Sequence, residues 1–271
     1  MAAARKRFGQ HFLHDPAVLE RIVRAIEPRA ADHFIEVGPG RGALTARLLA
    51  APLATLDAVE IDRDLAAHLV ATLARDARLR VHTADALELD LAAFAGRYGG
   101  RMRIVGNLPY NISTPLLFHL INQSEALEDL HVMLQREVVA RIVAQPGSAA
   151  YGRLTVMLAP RVRAERLFDI GPGAFQPPPK VWSSFLHLSV LAAPAFAVRP
   201  AYASVVATAF SHRRKTLRNA LRPLLSAAQI ERCGVDPGAR PGTLTPLEFN
   251  ALAGAVAGPG AAQSPSEPVI G

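Results

Sequence analysis

Short apolar runs alternate with amphipathic segments along the first half of the chain. The runs are HFIEVG, LDAVEI, LRVHTAD, MRIVGN and DLHVML, which begin at His33, Leu56, Leu79, Met102 and Asp129. Each run has the length and apolar content of a buried strand, and the segments between them are helix-like. The alternation predicts an α/β fold in which helices cover both faces of a parallel sheet.

The pattern extends this core on both sides. Asp15 followed by Pro16 predicts the N-cap and first residue of a helix. After Gln135 the pattern predicts two helices and then two strands, around Val162 to Phe168 and Ser183 to Leu191. The loop between those strands, GPGAFQPPPK, is stiffened by three consecutive prolines.

A segment with the composition of a linker, AAPAFAVRPA at residues 192–201, divides the chain. We therefore expect a main domain over residues 1–193, a small helical basic domain over residues 200–257, and a disordered Pro/Gly/Ser-rich tail over residues 258–271. The segment Phe210 to Leu225 is predicted to be one helix, with Lys215, Arg218 and Arg222 in an arc beside its apolar stripe.

Net charge indicates a class of partner. The 271 residues carry a formal net charge of +7 and the pI is near 10.3. Clustered Arg and Lys gain affinity for phosphate by releasing counterions, so a nucleic acid is a candidate partner. A basic surface that serves only solubility is the alternative.

Other features of composition exclude several classes. No stretch is long and apolar enough to span a bilayer, and the basic N-terminus lacks the apolar segment of a secretory signal. We therefore expect a cytoplasmic protein with no membrane partner. Cys233 is the only cysteine, so neither an internal disulfide nor a cysteine zinc cage can form, and no metal is expected.

A glycine turn follows the first strand of the alternating core. In IEVGPGRGALT, Gly38 and Gly40 lie where a ligand can approach the backbone, although such glycines are often only structural. Glu60 ends the second strand, at about the spacing where an acidic side chain meets a ribose diol. Asp85 ends the third, where an N-cap is the simpler interpretation of that residue alone.

The glycine spacing within this turn restricts the class of ligand. It is not the G-x-G-x-x-G that seats a pyrophosphate, and no G-K-S/T follows, so a dinucleotide or a nucleoside triphosphate is disfavoured. The pattern E-x-G-x-G-x-G with acidic residues after strands two and three instead resembles the Rossmann-like methyltransferases that bind S-adenosylmethionine.

The fourth strand ends in a polar turn, Asn107-Leu108-Pro109-Tyr110. Methylation of an adenine amine needs acceptors for its N–H groups, because the nitrogen lone pair is conjugated with the ring. An Asn amide oxygen and a proline-fixed backbone carbonyl can supply them while Tyr110 stacks on the base. The alternative is a buried Asn that closes a turn before a helix capped by Ser113 or Thr114.

Together with GQHFLHD, EVGPGRGALT, FQPPPKVWSS and RRKTLRN, the segment NLPYNIST resembles the ribosomal RNA adenine dimethyltransferases of the KsgA group. The match runs from about Arg7 to about Ala253. The resemblance implies a Rossmann-like class I methyltransferase sheet with helices on both faces and a small all-helical C-terminal domain. It also implies dimethylation, with S-adenosylmethionine, of two adjacent adenosines in the 3′-terminal hairpin loop of small-subunit (16S) ribosomal RNA.

The resemblance also assigns roles to residues. Cofactor contacts fall on His11, Leu13, Gly38, Gly40, Glu60, Ile61, Asp85, Ala86 and Asn107. Catalytic roles fall on Asn107, Leu108, Pro109, Tyr110 and Phe175, where the rings of Tyr110 and Phe175 would sandwich the target base. As sequence features alone, a loop Phe beside prolines is more often a packing residue, and a lone His such as His11 is more often structural.

The implied partners are small-subunit ribosomal RNA and an immature 30S-type subunit, with the chain as a monomer and a role in late subunit maturation. Three alternatives stay open. One is a large-subunit methylase of the erythromycin-resistance type, another is a non-catalytic RNA-binding assembly factor, and the last is a methylase of DNA or protein amides. NLPYNIST and RRKTLRN favour the small-subunit enzyme, and the intact glycine turn argues against lost catalysis.

Overall fold

The computed structural model describes residues 11–73 and 75–256, which divide into two compact units. Of these described residues, the first unit comprises those up to residue 143 together with residues 161–193, and the second comprises residues 144–160 and 194–256. The sequence had placed residues 144–160 in the main domain, but Tyr151 and Val156 belong to the core of the second unit. The predicted tail, residues 258–271, and Gly9 and Gln10 of the N-terminal motif lie outside the described residues.

The strands of the described chain all belong to the first unit. In chain order they are β1 (Phe12–Leu13), β2 (His33–Val37), β3 (Thr55–Glu60), β4 (Leu79–Thr83), β5 (Met102–Asn107), β6 (Leu127–Gln135), β7 (Val162–Ile170), β8 (Phe175–Gln176) and β9 (Ser183–Val190). The apolar runs of the sequence therefore form strands, with ends that differ by one or two residues from those expected.

The larger sheet has the order β4-β3-β2-β5-β6-β9-β7. Its first five strands are parallel, whereas β9 runs antiparallel to both β6 and β7. Helices lie on both sides of this mixed sheet, which confirms the predicted fold class. A separate two-stranded sheet pairs β1 with β8, so that the N-terminal segment is joined to the proline-rich loop.

The helices of the first unit are α1 (Pro16–Ile26), α2 (Ala43–Leu49), α3 (Arg63–Leu73), α4 (Leu91–Tyr98), α5 (Ser113–Ile121) and α6 (Arg136–Ile142). Those of the second are α7 (Arg153–Leu158), α8 (Tyr202–Ser211), α9 (Leu217–Ala220), α10 (Ala227–Arg232) and α11 (Pro246–Gly254). Asp15 caps α1 as predicted, since its Oδ1 accepts from Ala17 N at 2.9 Å and Val18 N at 3.1 Å.

The first unit is held together by apolar side chains between the sheet and its helices. Ile22 and Ile26 of α1, Phe34 of β2 and Leu56 of β3 share one core cluster and are almost completely buried. Complete burial of such a side chain stabilises the folded state by about 1.5 to 3 kcal/mol. This packing holds the sheet, and with it the ends of its strands, in place. None of the helices within residues 11–73 and 75–256 is long and apolar enough to cross a membrane.

The predicted continuous helix from Phe210 to Leu225 is wrong. Helix α8 ends at Ser211, residues 212–216 form a turn, and α9 holds only Leu217–Ala220. The N–H groups of Leu217 and Arg218 donate to the carbonyls of Ala239 and Pro237 at 2.8 and 3.0 Å. These tertiary partners replace the carbonyls one helical turn earlier, and so the helix is interrupted.

Apolar and basic residues of this segment are still separated by burial, although the helix is interrupted. Leu217 and Leu221 are buried in the core of the second unit, whereas Lys215, Arg218 and Arg222 are exposed. The amphipathic pattern thus predicts burial correctly, although only residues 217–220 of the segment after α8 are helical and the three cations do not lie on one continuous helix.

Candidate active site

The order of the sheet opens a crevice at the carboxyl ends of its strands. Strand order reverses between the parallel neighbours β2 and β5, since β3 and β4 lie on one side and β6 on the other, and ligands of open α/β sheets bind at such a switch point. The crevice is lined by His11, Phe12, Gly38, Gly40, Glu60, Ile61, Asn107, Leu108, Pro109 and Tyr110. The structure therefore brings most of the site residues predicted from the sequence to one place.

The glycine turn is shaped by the N-terminal segment that covers it. Gly38 and Gly40 both have positive φ, 67° and 59°. A Cβ on Gly40 would lie 2.9 Å from the ring of Phe12. Glycine is therefore required at position 40 by the backbone conformation and by the close approach of Phe12.

Glu60 ties the end of β3 to this turn. Its Oε2 accepts from Gly40 N at 3.1 Å and its Oε1 from Asp62 N at 3.0 Å. Burial raises the pKa of Glu60, and these backbone hydrogen bonds oppose that effect. Because each carboxylate oxygen has two lone pairs, both can still accept a hydroxyl of a ribose.

The side chain of Asn107 has one satisfied and one unsatisfied end. Its Nδ2 donates to His11 O at 2.8 Å, which fixes the orientation of the amide. Its Oδ1 is buried and has no hydrogen-bond partner among the described residues. A buried acceptor without a donor costs about 1 to 3 kcal/mol, so this oxygen is a candidate ligand contact.

The backbone of the same turn offers a second acceptor. Pro109 O accepts from Ile112 N at 3.2 Å, whereas Leu108 O accepts no backbone N–H of the described chain. The expected side-chain cap of α5 is absent, since Ser113 Oγ donates to Tyr110 O at 3.2 Å instead. This bond closes the turn in front of α5.

Tyr110 is held in place at the rim of the crevice. Its hydroxyl lies 2.6 Å from Ser183 Oγ, and its ring centroid lies 5.8 Å from that of His11. Burial raises the pKa of Tyr110, and the hydrogen bond with Ser183 opposes this. One face of the ring can therefore be presented in a fixed position, as stacking on a base requires.

Phe175 does not lie where the sequence placed it. It is only 2% exposed and belongs to the core cluster of the first unit. The pairing of β8 with β1 sets Phe175 opposite Leu13, which is buried in the same cluster. The structure therefore does not bring this ring to the lining of the crevice beside Tyr110, and it packs as an apolar core residue.

Three predicted cofactor contacts, Leu13, Asp85 and Ala86, are not part of the described lining of the main crevice. Leu13 and Glu36 line a neighbouring pocket together with Gly38 and Asn107. Asp85 Oδ1 accepts from Leu87 N at 2.9 Å and caps the short 3-10 turn that begins at Ala86. This is the structural role expected of Asp85 alone, and Asp85 and Ala86 are not part of the described lining of either pocket.

Glu36 was missed by the sequence analysis as a site residue. It is almost fully buried, its Oε2 has no hydrogen-bond partner among the described residues, and burial raises its pKa to about 7. The available signal was its position as the acidic residue of E-x-G-x-G-x-G. Phe12 and Ser183, which contact Gly40 and Tyr110, were also missed, because both contacts depend on the tertiary fold.

A second polar cluster lies at the opposite end of the sheet. Asp129, His131 and His187 are close enough to hold a metal ion. Arg103, however, already donates to both oxygens of Asp129, at 3.0 and 2.8 Å, and its charge opposes a cation there. His131 Nδ1 lies 3.7 Å from Asp129 Oδ2, which is too long for a hydrogen bond.

Taken together, the glycine turn, the acid at the end of β3 and the Asn-x-Pro-Tyr turn at one sheet edge define a class of protein, the S-adenosylmethionine-dependent amino-methyltransferases with a Rossmann-like fold. A family model described as ribosomal RNA adenine dimethylase matches residues 1–256. The chain belongs to the ribosomal RNA adenine dimethylase family.

Relatives with curated names agree with this assignment. The chain is 52% identical to "Ribosomal RNA small subunit methyltransferase A" of Nitrosococcus oceani, over 92% of this chain and 94% of that protein. It is 48% identical to the protein of the same name from Pseudomonas aeruginosa, over 94% and 95%. These relatives are similar over nearly their whole length.

Solved structures resemble the chain in fold. A dimethyladenosine transferase from Plasmodium falciparum superposes with a TM-score of 0.77 at 22% identity, covering 89% of this chain and 96% of that one. The 23S ribosomal RNA methyltransferase ErmE superposes with a TM-score of 0.70 at 26% identity, covering 90% and 99%. The fold is thus shared by a protein named as a dimethyladenosine transferase and by one named as a 23S ribosomal RNA methyltransferase.

Proposed function

We propose that this protein uses S-adenosylmethionine to dimethylate the N6 amines of two adjacent adenosines in the 3′-terminal hairpin loop of small-subunit ribosomal RNA. The single observation that carries the chemistry is the unpaired, buried Oδ1 of Asn107 at the crevice. The names of the relatives support the choice of the small subunit. Each adenosine takes up two methyl groups, and its amine releases one proton with each.

The residues of the crevice fit the cofactor. Gly38 and Gly40 leave the backbone open, and Glu60 has lone pairs for ribose hydroxyls. His11 O is taken by Asn107, so we assign the N-terminal segment a covering role. Leu13, Ile61, Asp85 and Ala86 remain proposed contacts. When bound, S-adenosylmethionine supplies an electrophilic methyl group.

The Asn107 turn activates the amine by accepting its protons. We assign one N–H of the adenine to Asn107 Oδ1, which has no partner among the described residues, and the other to Leu108 O, which accepts no described backbone N–H, whereas Pro109 O is occupied. If these acceptors draw the two hydrogens out of the base plane on one side, the nitrogen pyramidalises, and its lone pair leaves conjugation with the ring and points to the methyl donor. Tyr110 supports the base by stacking.

The second transfer differs from the first. After one methylation the amine retains a single N–H, so one of the two acceptors has no donor. Stacking then contributes a larger share of positioning in the second step. Tyr110 carries this role in the described geometry, and Phe175 could share it only by leaving the core cluster.

Beyond the site, we propose an immature 30S-type subunit as the substrate particle, a monomeric enzyme and a role in late maturation of that subunit. The exposed cations of the second unit, Lys215, Arg218 and Arg222, support an RNA partner because they are solvated and close in sequence.

The test is transfer of labelled methyl groups to under-methylated small ribosomal subunits, followed by nucleoside analysis. Large subunits are assayed in parallel. Asn107→Ala removes the proposed acceptor, and Asn111→Ala, an exposed amide in the same turn, is the matched control. We expect dimethyladenosine on small subunits only, lost with Asn107→Ala and retained with Asn111→Ala.

Other outcomes would identify the alternatives. Transfer to large subunits would indicate a resistance-type enzyme, the activity that the name of ErmE states. Binding to small subunits without transfer, with or without cofactor, would indicate an assembly factor.

A further inference from the structure

An exposed tryptophan lies at the edge of the sheet that carries the crevice, but it is not part of the crevice lining. Trp182 is 48% exposed and is the only tryptophan in the chain. Val181 beside it is 43% exposed, and Lys180 is exposed as well. A half-exposed ring contributes little to the core, and together with Val181 it forms a small apolar patch that is available to a ligand.

The ring is held by two neighbours from other strand ends. The guanidinium of Arg136 lies 5.8 Å from the ring centroid of Trp182, and Arg136 N donates to Trp182 O at 2.9 Å. A Cβ built on Gly171 would lie 3.5 Å from a ring atom of Trp182. The indole is therefore supported on the backbone at Gly171 and oriented before any ligand arrives.

These three residues share the edge that carries the active site. Arg136 follows the carboxyl end of β6, Gly171 follows β7, and Trp182 precedes β9, which runs antiparallel to β6. The residue next to Trp182, Ser183, holds the hydroxyl of Tyr110 at 2.6 Å. The backbone that positions Trp182 is thus continuous with the contact that positions the proposed base-stacking ring.

The chemistry of this group fits an unpaired nucleotide. Indole stacks on any nucleobase, and an adjacent guanidinium can pair with a phosphate. We propose that Trp182 and Arg136 form a subsite that binds a nucleotide flanking the target adenosine, with the base on Trp182 and the phosphate at Arg136. This inference rests on the proposed function, since it requires an RNA loop whose target base enters the crevice.

The single tryptophan makes the subsite directly observable. The full-length protein is titrated with a synthetic RNA hairpin that has two adjacent adenosines in its loop, and intrinsic fluorescence is recorded with and without acrylamide. We expect RNA to quench the indole emission and to shield it from acrylamide.

Kinetics on under-methylated small subunits provides the second measurement. We expect Trp182→Ala to raise KM for the subunit about tenfold, while the affinity for S-adenosylmethionine stays unchanged. Trp182→Phe should restore most of the affinity because it restores a ring. Val181→Ala, an equally exposed neighbour without a ring, is the matched control and should leave KM unchanged.

Arg136→Met separates charge from stacking. It retains an apolar cover for the indole but removes the cation, so the slope of log affinity for RNA against log salt should decrease in magnitude by about one. A slope equal to that of the wild type would assign the phosphate contact elsewhere and overturn the role of Arg136.

The two proposals fail in different ways. If the wild-type protein transfers no methyl groups to small subunits, the proposed function is wrong. If it transfers them, but bound RNA leaves the indole open to acrylamide and Trp182→Ala has the wild-type KM, the subsite is overturned while the function stands.

Discussion

The two ends of the large sheet differ in whether their buried polar side chains have hydrogen-bond partners. At the amino ends of the strands, buried Arg103 donates to both oxygens of Asp129 and, at 2.6 Å, to Asp32. At the carboxyl ends, Asn107 Oδ1 and Glu36 Oε2 are buried with no partner among the described residues. One end satisfies its charges within the chain, and the other leaves acceptors unsatisfied.

This difference predicts which substitutions should affect stability and which should affect the reaction. Paired buried charges are expensive to break, because removal of one partner leaves the other uncompensated. Unpaired acceptors already cost free energy in the unliganded protein, and a ligand that donates to them recovers that cost. Substitutions at the amino end should therefore unfold the protein, and those at the carboxyl end should impair the reaction.

The largest effect is expected at Asn107. Asn107→Ala should lower the rate of methyl transfer about 100- to 1000-fold, because it removes a preorganised acceptor at the reacting nitrogen. The free energy of unfolding should fall by no more than about 1.5 kcal/mol, the value of the hydrogen bond to His11 O. Single-turnover transfer and urea unfolding measure the two quantities. A large loss of stability with unchanged transfer would reverse the comparison.

At the other end, Arg103→Met should lower the free energy of unfolding by about 3 to 5 kcal/mol, since Asp32 and Asp129 would lose their shared partner. Urea unfolding gives this value. The matched control is Arg163→Met, an exposed arginine on β7, which should change stability by less than about 0.5 kcal/mol. Equal effects of the two substitutions would contradict the proposed importance of the network.

The two ends should also respond oppositely to pH. Burial raises the pKa of Glu36 from 4.5 to about 7, so the folded chain retains a proton that the unfolded chain releases, and stability is lost as pH rises through this interval. Urea unfolding of Glu36→Gln and of the wild type should be measured between pH 4.5 and about 7. As pH rises, the free energy of unfolding of the variant should increase relative to that of the wild type by up to about 3 kcal/mol. A constant difference would mean that Glu36 does not titrate there.

For Asp129, burial alone would raise the pKa, but His131, His187 and Arg103 outweigh it and hold the pKa below its usual range. Its contribution to stability is therefore present above the ordinary carboxyl pKa and lost as pH falls below it.

The smallest effect is expected from the hydroxyl of Tyr110. Tyr110→Phe removes the bond to Ser183 Oγ but keeps the ring, so stability should fall by about 1 kcal/mol and the first transfer should change less than about threefold. Tyr110→Ala should reduce the second transfer more than the first. Nucleoside analysis that separates mono- from dimethyladenosine tests this, and equal loss of both steps would refute the difference between them.

The sheet and the crevice could be predicted because their signals are local. Apolar runs separated by helical segments specify strands, and parallel strands place their carboxyl ends at one edge, so Gly38, Glu60 and Asn107 could be brought together from the sequence alone. The N-cap Asp15 was equally predictable, since its partners are two and three residues away.

The errors arose where distant residues decide local structure. The predicted helix through Leu217 was broken because its N–H donates to Ala239 O, which no periodicity reveals. Phe175 was expected beside the base because of the family resemblance, but in the structure its strand pairs with the N-terminal segment and its ring packs in the core. Trp182 gave no signal as a residue of interest, since exposure and support by Gly171 are tertiary properties.

The pairing of β1 with β8 has a consequence for the order of events during synthesis. Phe12 leaves the ribosome well before its partner Gln176 is made. His11, whose Nδ1 bonds to Pro177 O at 2.8 Å and whose carbonyl holds Asn107, cannot be placed until that point. A nascent chain can therefore form the central parallel strands and still lack a complete crevice. The protein can carry out the reaction only after both β1 and β8 have been synthesised and have paired.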